Sequence, residues 1–277
     1  MGFAFVGNGV APSSDGGGYR DLGPGLAPNA ANWGRSSFFA PARAGRIADM
    51  TLRPITAELF DFLRDLRDNN DREWFAANKG RYLADVRDPM LAFIEAFAAP
   101  LAEISPHFVV DARANGGSLF RIYRDTRFSR DKTPYKTNVG AHFRHAAGKD
   151  AHAPGFYLHI EPDMCFAGCG IWRPDSGTVA RIREAIDEGR EDWTRITTDP
   201  AFTGTFELAG DSLKRPPRGY DADHPLVEDL KRKDFIAATS FPERQVLEDD
   251  FLEWFAGVVR RGAPFVEFLS GAVGVEF

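Results

Sequence analysis

The chain has 277 residues, 43% of them hydrophobic and 13% aromatic, with a formal net charge of −6 and a pI of about 5.6. That supplies apolar material for a sizeable core, and the acidic balance argues against a general nucleic-acid binder, whose domain is normally basic. No stretch of about eighteen apolar residues marks a membrane-spanning helix and no charged-then-apolar leader opens the chain, so no membrane partner is expected and the expected location is cytoplasmic.

Residues 1–49 are rich in Gly, Pro, Ala, Asn and Ser and show no sustained periodicity. Such a segment buries too little apolar surface to offset its ordering, which predicts a disordered extension. The alternative is an arm that docks Phe38 and Phe39 on the core. Residues 50–277 read as a single α+β domain, a mainly antiparallel sheet with helices packed on it.

Helical periodicity begins after Pro54. Leu59, Phe60, Phe62, Leu63 and Leu66 share one face, and Thr56 stands at the N-cap position. Residues 71–78 form a second short helix with Trp74 and Phe75 turned inward. Residues 82–104 form a longer one, which Pro89 kinks or divides. Strand character follows in 108–110 and 118–124. Val139, Ala141 and Phe143 alternate with Gly140, His142 and Arg144, and Phe156, Leu158 and Ile160 alternate with Tyr157, His159 and Glu161. Both patterns have the period of two that marks a strand with one buried face, and the short polar connection makes antiparallel pairing natural.

Cys165 and Cys169 have the spacing C-x3-C. Two ligands alone do not make a zinc site, and a disulfide does not suit the cytosol, so two free thiols are expected. Helices are read over 175–186, 193–196, 224–232 and 243–259, with a last one starting at Pro264. Extended segments are read over 206–213 and 235–240, and a turn-rich loop over 215–220.

Residues 121–136 are the most unusual part of the chain. They hold six cations and two carboxylates, interleaved with aromatic residues, in a protein of net negative charge. Such a cluster repels itself until something negative neutralises it. A ligand site would use Arg121, Arg124, Arg127, Arg130 and Lys132 to hold an anion, with Tyr135 and Lys136 at the rim; Tyr135 could stack on a base. Arg suits bidentate contact with phosphate or carboxylate. The structural alternative is an internal lattice in which Asp125 and Asp131 pair with neighbouring cations and Phe128 anchors the loop. The loop at 215–220 adds two cations that could close over the same pocket.

A second constellation depends on strand pairing. If the two alternating strands pair antiparallel, His142, Arg144, Tyr157, His159 and Glu161 share a face. His142, His159 and Glu161 would then be a candidate metal set, or an acid–base set. No P-loop, G-x-S-x-G or H-E-x-x-H motif is present, and Gly116-Gly117-Ser118 opens no helix. No cofactor is indicated.

Four strings taken together resemble one family. They are Asn69-Asn70-Asp71-Arg72-Glu73-Trp74-Phe75, the cationic run 121–136, Gly155-Phe156-Tyr157-Leu158-His159-Ile160-Glu161-Pro162, and Arg215-Pro216-Pro217-Arg218-Gly219-Tyr220 with Asp223-His224-Pro225. Their order and spacing resemble the domain-of-unknown-function 2461 family of bacteria and fungi, from about residue 52 to the C terminus. The resemblance implies a fold boundary and no activity. Three functions stay open: a domain that binds and could transform a small phosphorylated or carboxylated ligand, a metal-assisted enzyme, or an interaction module that docks an acidic protein or nucleic acid.

Overall fold

A computed structural model describes residues 55–127, 129–148 and 152–277. The expectations for residues 1–49 and for Phe128 lie outside the described residues. The chain opens with α1 (Ala57–Asp68) and α2 (Arg72–Arg81), then a π-helical turn (Tyr82–Arg87), α3 (Asp88–Ala96) and α4 (Ala98–Ile104). Thr56 does occupy the N-cap position of α1, but its side chain makes no capping bond to the helix backbone. Asp71 caps α2, accepting from the amides of Glu73 and Trp74 at 2.9 and 2.8 Å, which satisfies two otherwise orphaned donors. The single helix expected over 82–104 is divided, with Pro89 in the first turn of α3, where its missing N–H costs nothing.

The strands are β1 (Val139–Arg144), β2 (Gly155–Ile160), β3 (Cys165–Ile171), β4 (Glu207–Ala209) and β5 (Phe235–Phe241). Among the described residues they make one antiparallel sheet in the order β1-β2-β3-β5-β4. The β1–β2 register sets Ala141 against Leu158, Phe143 against Phe156 and His142 against Tyr157. Its apolar set therefore points to one face and its polar set to the other. The fold is α+β, as the patterning predicts.

Between β3 and β4 lie α5 (Ser176–Glu188), α6 (Arg190–Thr198) and α7 (Pro200–Thr203). Short α8 (Val227–Leu230) and α9 (Glu243–Val246) precede α10 (Phe251–Val273). The helix expected over 224–232 shrinks to α8, because His224-Pro225 is used in a turn. The break expected at Pro264 does not occur; α10 runs through it. Proline there removes one backbone bond, but Phe265, Val266 and Leu269 are fully buried beyond it, and that burial outweighs the loss.

The core lies between the sheet and the helices. Phe97 packs on Phe143 and Phe255 at centroid distances of 4.8 and 4.9 Å. Helix α10 crosses β3 closely, and a β-carbon on its Gly262 would sit 2.9 Å from Cys169 Sγ. Cys165 and Cys169 are buried free thiols, and burial raises the first to about 11 and holds the second higher still. Among the described residues no helix is long and apolar enough to cross a membrane.

Candidate functional site

The second face of the sheet differs from the first. It carries Gly140, His142, Tyr157, His159 and Phe166, of which His142, Tyr157 and Phe166 are half-buried. Residues 118–124 run along the β1 edge. The amide of Phe120 donates to Gly140 O at 2.9 Å and that of His142 to Ser118 O at 2.8 Å. Phe120 thereby comes over this face, 6.2 Å from the His142 ring and 6.0 Å from that of Tyr157.

From Phe120 the chain continues as an arm that folds back on itself. Tyr123 bridges Tyr135 in antiparallel fashion, with Arg124 N donating to Pro134 O at 2.9 Å and Lys136 N to Ile122 O at 2.7 Å. The arm is clamped from outside by Asn70. Its side-chain amide donates to Tyr135 O and its carbonyl accepts from Tyr135 N, both at 3.0 Å. Asn70 thus substitutes for a strand neighbour. Phe75, one turn into α2, stacks on Tyr135 with centroids 4.1 Å apart. The Asn70–Phe75 string and the cationic run, about sixty residues apart in sequence, meet here.

The arm's own charges are partly spent on its shape. Arg124 bonds Asp131 and Thr133. Its guanidinium pulls the Asp131 carboxyl down to about 2, helped by the Thr133 amide and hydroxyl. Arg127 pairs with Asp125 at 2.6 Å while remaining 69% exposed. Lys132 Nζ donates to Thr126 O at 2.7 Å and Lys136 Nζ to Arg121 O at 3.0 Å. Arg121 and Arg130 are exposed. So both carboxylates of the run are engaged by Arg124 and Arg127, as a lattice requires. The arm itself carries six cations against two carboxylates. The structure corrects one assignment. Tyr135 is 6% exposed and covered by Asn70 and Phe75, so its ring is an internal anchor and offers a ligand no face.

The polar sheet face holds a chain of hydrogen bonds. Thr137 Oγ1 donates to Glu161 Oε1 at 2.9 Å. Glu161 Oε2 meets His159 Nε2 at 3.1 Å, and His159 Nδ1 meets the Tyr157 hydroxyl at 3.1 Å. A carboxylate only accepts, so a neutral His159 carries its proton on Nε2 and accepts from Tyr157 on Nδ1. Gly140 makes room for this: a β-carbon there would stand 2.6 Å from the Tyr157 hydroxyl. His142 does not join His159 and Glu161. Its ring turns to Phe120 and Tyr157, and no group of three metal-ligating side chains that could hold an ion occurs among the described residues. Arg144 leaves the face to bond Gly148 O. Lys136 links the two assemblies, because its ammonium lies 5.7 Å over the Phe120 ring that Tyr157 also touches.

The loop at 215–220 does not approach this site. Ser212 bridges Arg232 beyond β4, at the sheet edge opposite β1. Four inter-strand steps of about 4.8 Å separate those edges. Two side chains that sequence reasoning passed over shape the arm. Asn70 could have been found only through its partner, since a polar residue before a helix cap carries no long-range signal. Tyr123 is the exposed member of the Tyr123–Tyr135 pair and follows the buried Ile122.

A family model described as a conserved hypothetical protein (DUF2461) matches residues 58–268, from α1 into the last turns of α10. No curated protein and no solved structure matches the chain. With most of its length matched, the chain belongs to that family.

Proposed function

We propose that this family member binds a small phosphorylated or otherwise anionic ligand where the cationic arm meets the polar sheet face. One observation carries the reading: folding pins an arm with more cations than carboxylates, through Asn70 and the β1 edge, beside the Tyr157–His159–Glu161 chain. Charge held rigidly at a surface binds an anion with little further ordering. Arg121, Arg130, Lys132 and Lys136 supply the attraction. Arg124 and Arg127 keep the arm in shape through Asp131 and Asp125. The hydrogen-bonded chain beside them has the order of an acid–base relay, in which Glu161 stabilises a proton taken by His159 from the Tyr157 hydroxyl.

The test is thermal unfolding of the full chain in phosphate or sulfate against chloride at matched ionic strength. A ligand at ten times its dissociation constant stabilises by about 1.4 kcal/mol. Phosphate is expected to raise the melting temperature beyond chloride, and Arg121→Ala combined with Lys136→Ala to remove the difference. Equal melting temperatures in phosphate and chloride would sink the reading.

A further inference from the structure

Tyr123 is the one Phe, Tyr or Trp among the described residues whose side chain is mostly in solvent, at 52% exposure. It is not a loose surface ring. Tyr135 lies 5.5 Å behind it and Phe75 6.3 Å away, and Phe75 in turn touches Tyr82 at 5.4 Å. The ladder continues to the fully buried Phe62, 5.9 Å from Tyr82. Tyr82 is partly buried, and that burial pushes its hydroxyl up to about 12. Only the last rung is mostly in water. The backbone bridge between Tyr123 and Tyr135, with the Asn70 clamp behind it, fixes that rung in place.

Arg121, itself exposed, lies two residues before Tyr123 across a bend at the buried Ile122, and Arg124 is the next residue. The charge of Arg72, the first residue of α2, also reaches the phenol of Tyr135 behind the rung. An exposed, pre-ordered aromatic ring in a cation-rich arm matches a ligand that has both a flat π-system and a phosphate. Stacking uses the face of the ring and the cations take the phosphate, and neither needs a base-specific hydrogen bond.

We infer that the anionic ligand of the proposed site is a nucleotide, its base stacked on Tyr123 and its phosphate held by Arg121 and the other cations of the arm. The inference rests on the anion-binding reading and adds the ligand's second half. A free mononucleotide and one unit of a short single strand share this chemistry. The net charge of −6 repels a long polyanion, which confines any strand contact to the arm.

Calorimetric titration of the full chain with AMP, ribose 5-phosphate, inorganic phosphate and a hexa-deoxyadenylate strand tests it. Stacking one base is expected to make AMP bind about 5- to 150-fold tighter than ribose 5-phosphate. Tyr123→Ala should bring AMP down to the affinity of ribose 5-phosphate, while Tyr123→Trp retains the advantage and inorganic phosphate binds all three proteins alike. A strand that binds tighter than AMP, with a steeper salt dependence, identifies single-stranded nucleic acid as the source; equal affinity identifies the free nucleotide. If ribose 5-phosphate and AMP bind equally well, the nucleotide inference is wrong and the anion reading stands. If no phosphate compound binds, both fall. Because Tyr123 is exposed, its variants should melt within a few degrees of the parent, and circular dichroism before each titration checks that they are folded.

Discussion

The arm at the β1 edge and the loop between β4 and β5 look alike as sequences, each mixing arginine, lysine, proline, tyrosine and aspartate. Folding pins them by different means. In the loop, Lys214, Arg215 and Arg218 stay exposed, but other polar groups turn inward and are paired. Asp234, 5% exposed, accepts from the amides of Arg173 and Asp211 at 2.7 and 2.8 Å. Arg183 of α5 donates to Leu230 O and Arg232 O at 2.6 and 3.0 Å, and burial lowers its pKa. His224 donates through Nε2 to Asp187 at 3.0 Å and accepts from the Leu226 amide at 3.1 Å. In the arm, the backbone and Asn70 do the pinning, while several charged side chains stay in water. Polar groups that the core must bury have to be paired and become scaffold. Charge that folding leaves at the surface is what a ligand can use.

The comparison can be broken first at Asp234. Asp234→Ala strands two amides in a buried place, and we predict a loss of about 3 kcal/mol in urea unfolding, with the phosphate response of the arm intact. Gly210 sits beside it at a φ of +95°, where a β-carbon would stand 2.4 Å from that of Asp234, so no larger residue fits to repair the gap. A loss below about 1 kcal/mol would show that the loop is no more scaffold than the arm is.

Next in size is Asn70→Ala. It removes both bonds to the Tyr135 backbone and should cost about 2 kcal/mol. Unlike Asp234→Ala, it should also weaken stabilisation by phosphate, because the cations are no longer held in place. An unchanged phosphate response would separate anion binding from the arm's rigidity.

Within the arm, the Arg124 and Arg127 pairs each have one largely buried member, the guanidinium in the first and the carboxylate in the second. Arg124, with its side chain 18% exposed, ties Asp131 and Thr133 across the loop, and Arg124→Ala is expected to cost about 1–2 kcal/mol. Arg127 is far more exposed, but its partner Asp125 is only 6% exposed, so Arg127→Ala takes a bidentate guanidinium from a largely buried carboxylate and should also cost about 1–2 kcal/mol. A cost below about 0.5 kcal/mol in denaturant titrations would mean that the Asp125 pair is a mere surface contact.

The smallest effect is a pH dependence. Asp131 titrates near 2 in the folded protein against 3.8 ordinarily, so the unfolded chain takes up its proton first as pH falls. Its contribution is complete above about pH 4 and is lost on descending to about pH 2. Solvent screening of this half-exposed pair keeps it below ~1 kcal/mol. Asp131→Asn should therefore be slightly less stable than the parent at pH 6, and the gap should close by pH 2.

Much of the fold is legible in the residues because its signals are local. Alternation in 139–144 and 155–160 sets which side chains face the core, and a strand of known inward face has little choice of partner register. The apolar stripe of α1 is equally local. Pro264 misleads because a local rule meets a buried hydrophobic face that outweighs it. The site is legible in part for the same reason: charge density marks the arm, and strand period puts Tyr157, His159 and Glu161 together.

What composition, period and charge determined here is the antiparallel sheet, its buried face, and the place where cations exceed carboxylates. Tertiary structure alone decided which of two aromatic residues in the arm is anchor and which is exposed, since that depends on Asn70 and Phe75 arriving from α2. It also decided that His142 turns away from His159 and Glu161 toward Phe120, and that the two cationic segments stand at opposite sheet edges. Each of these outcomes is a contact between residues far apart along the chain, and residue type and spacing say nothing about such a contact until the chain is packed.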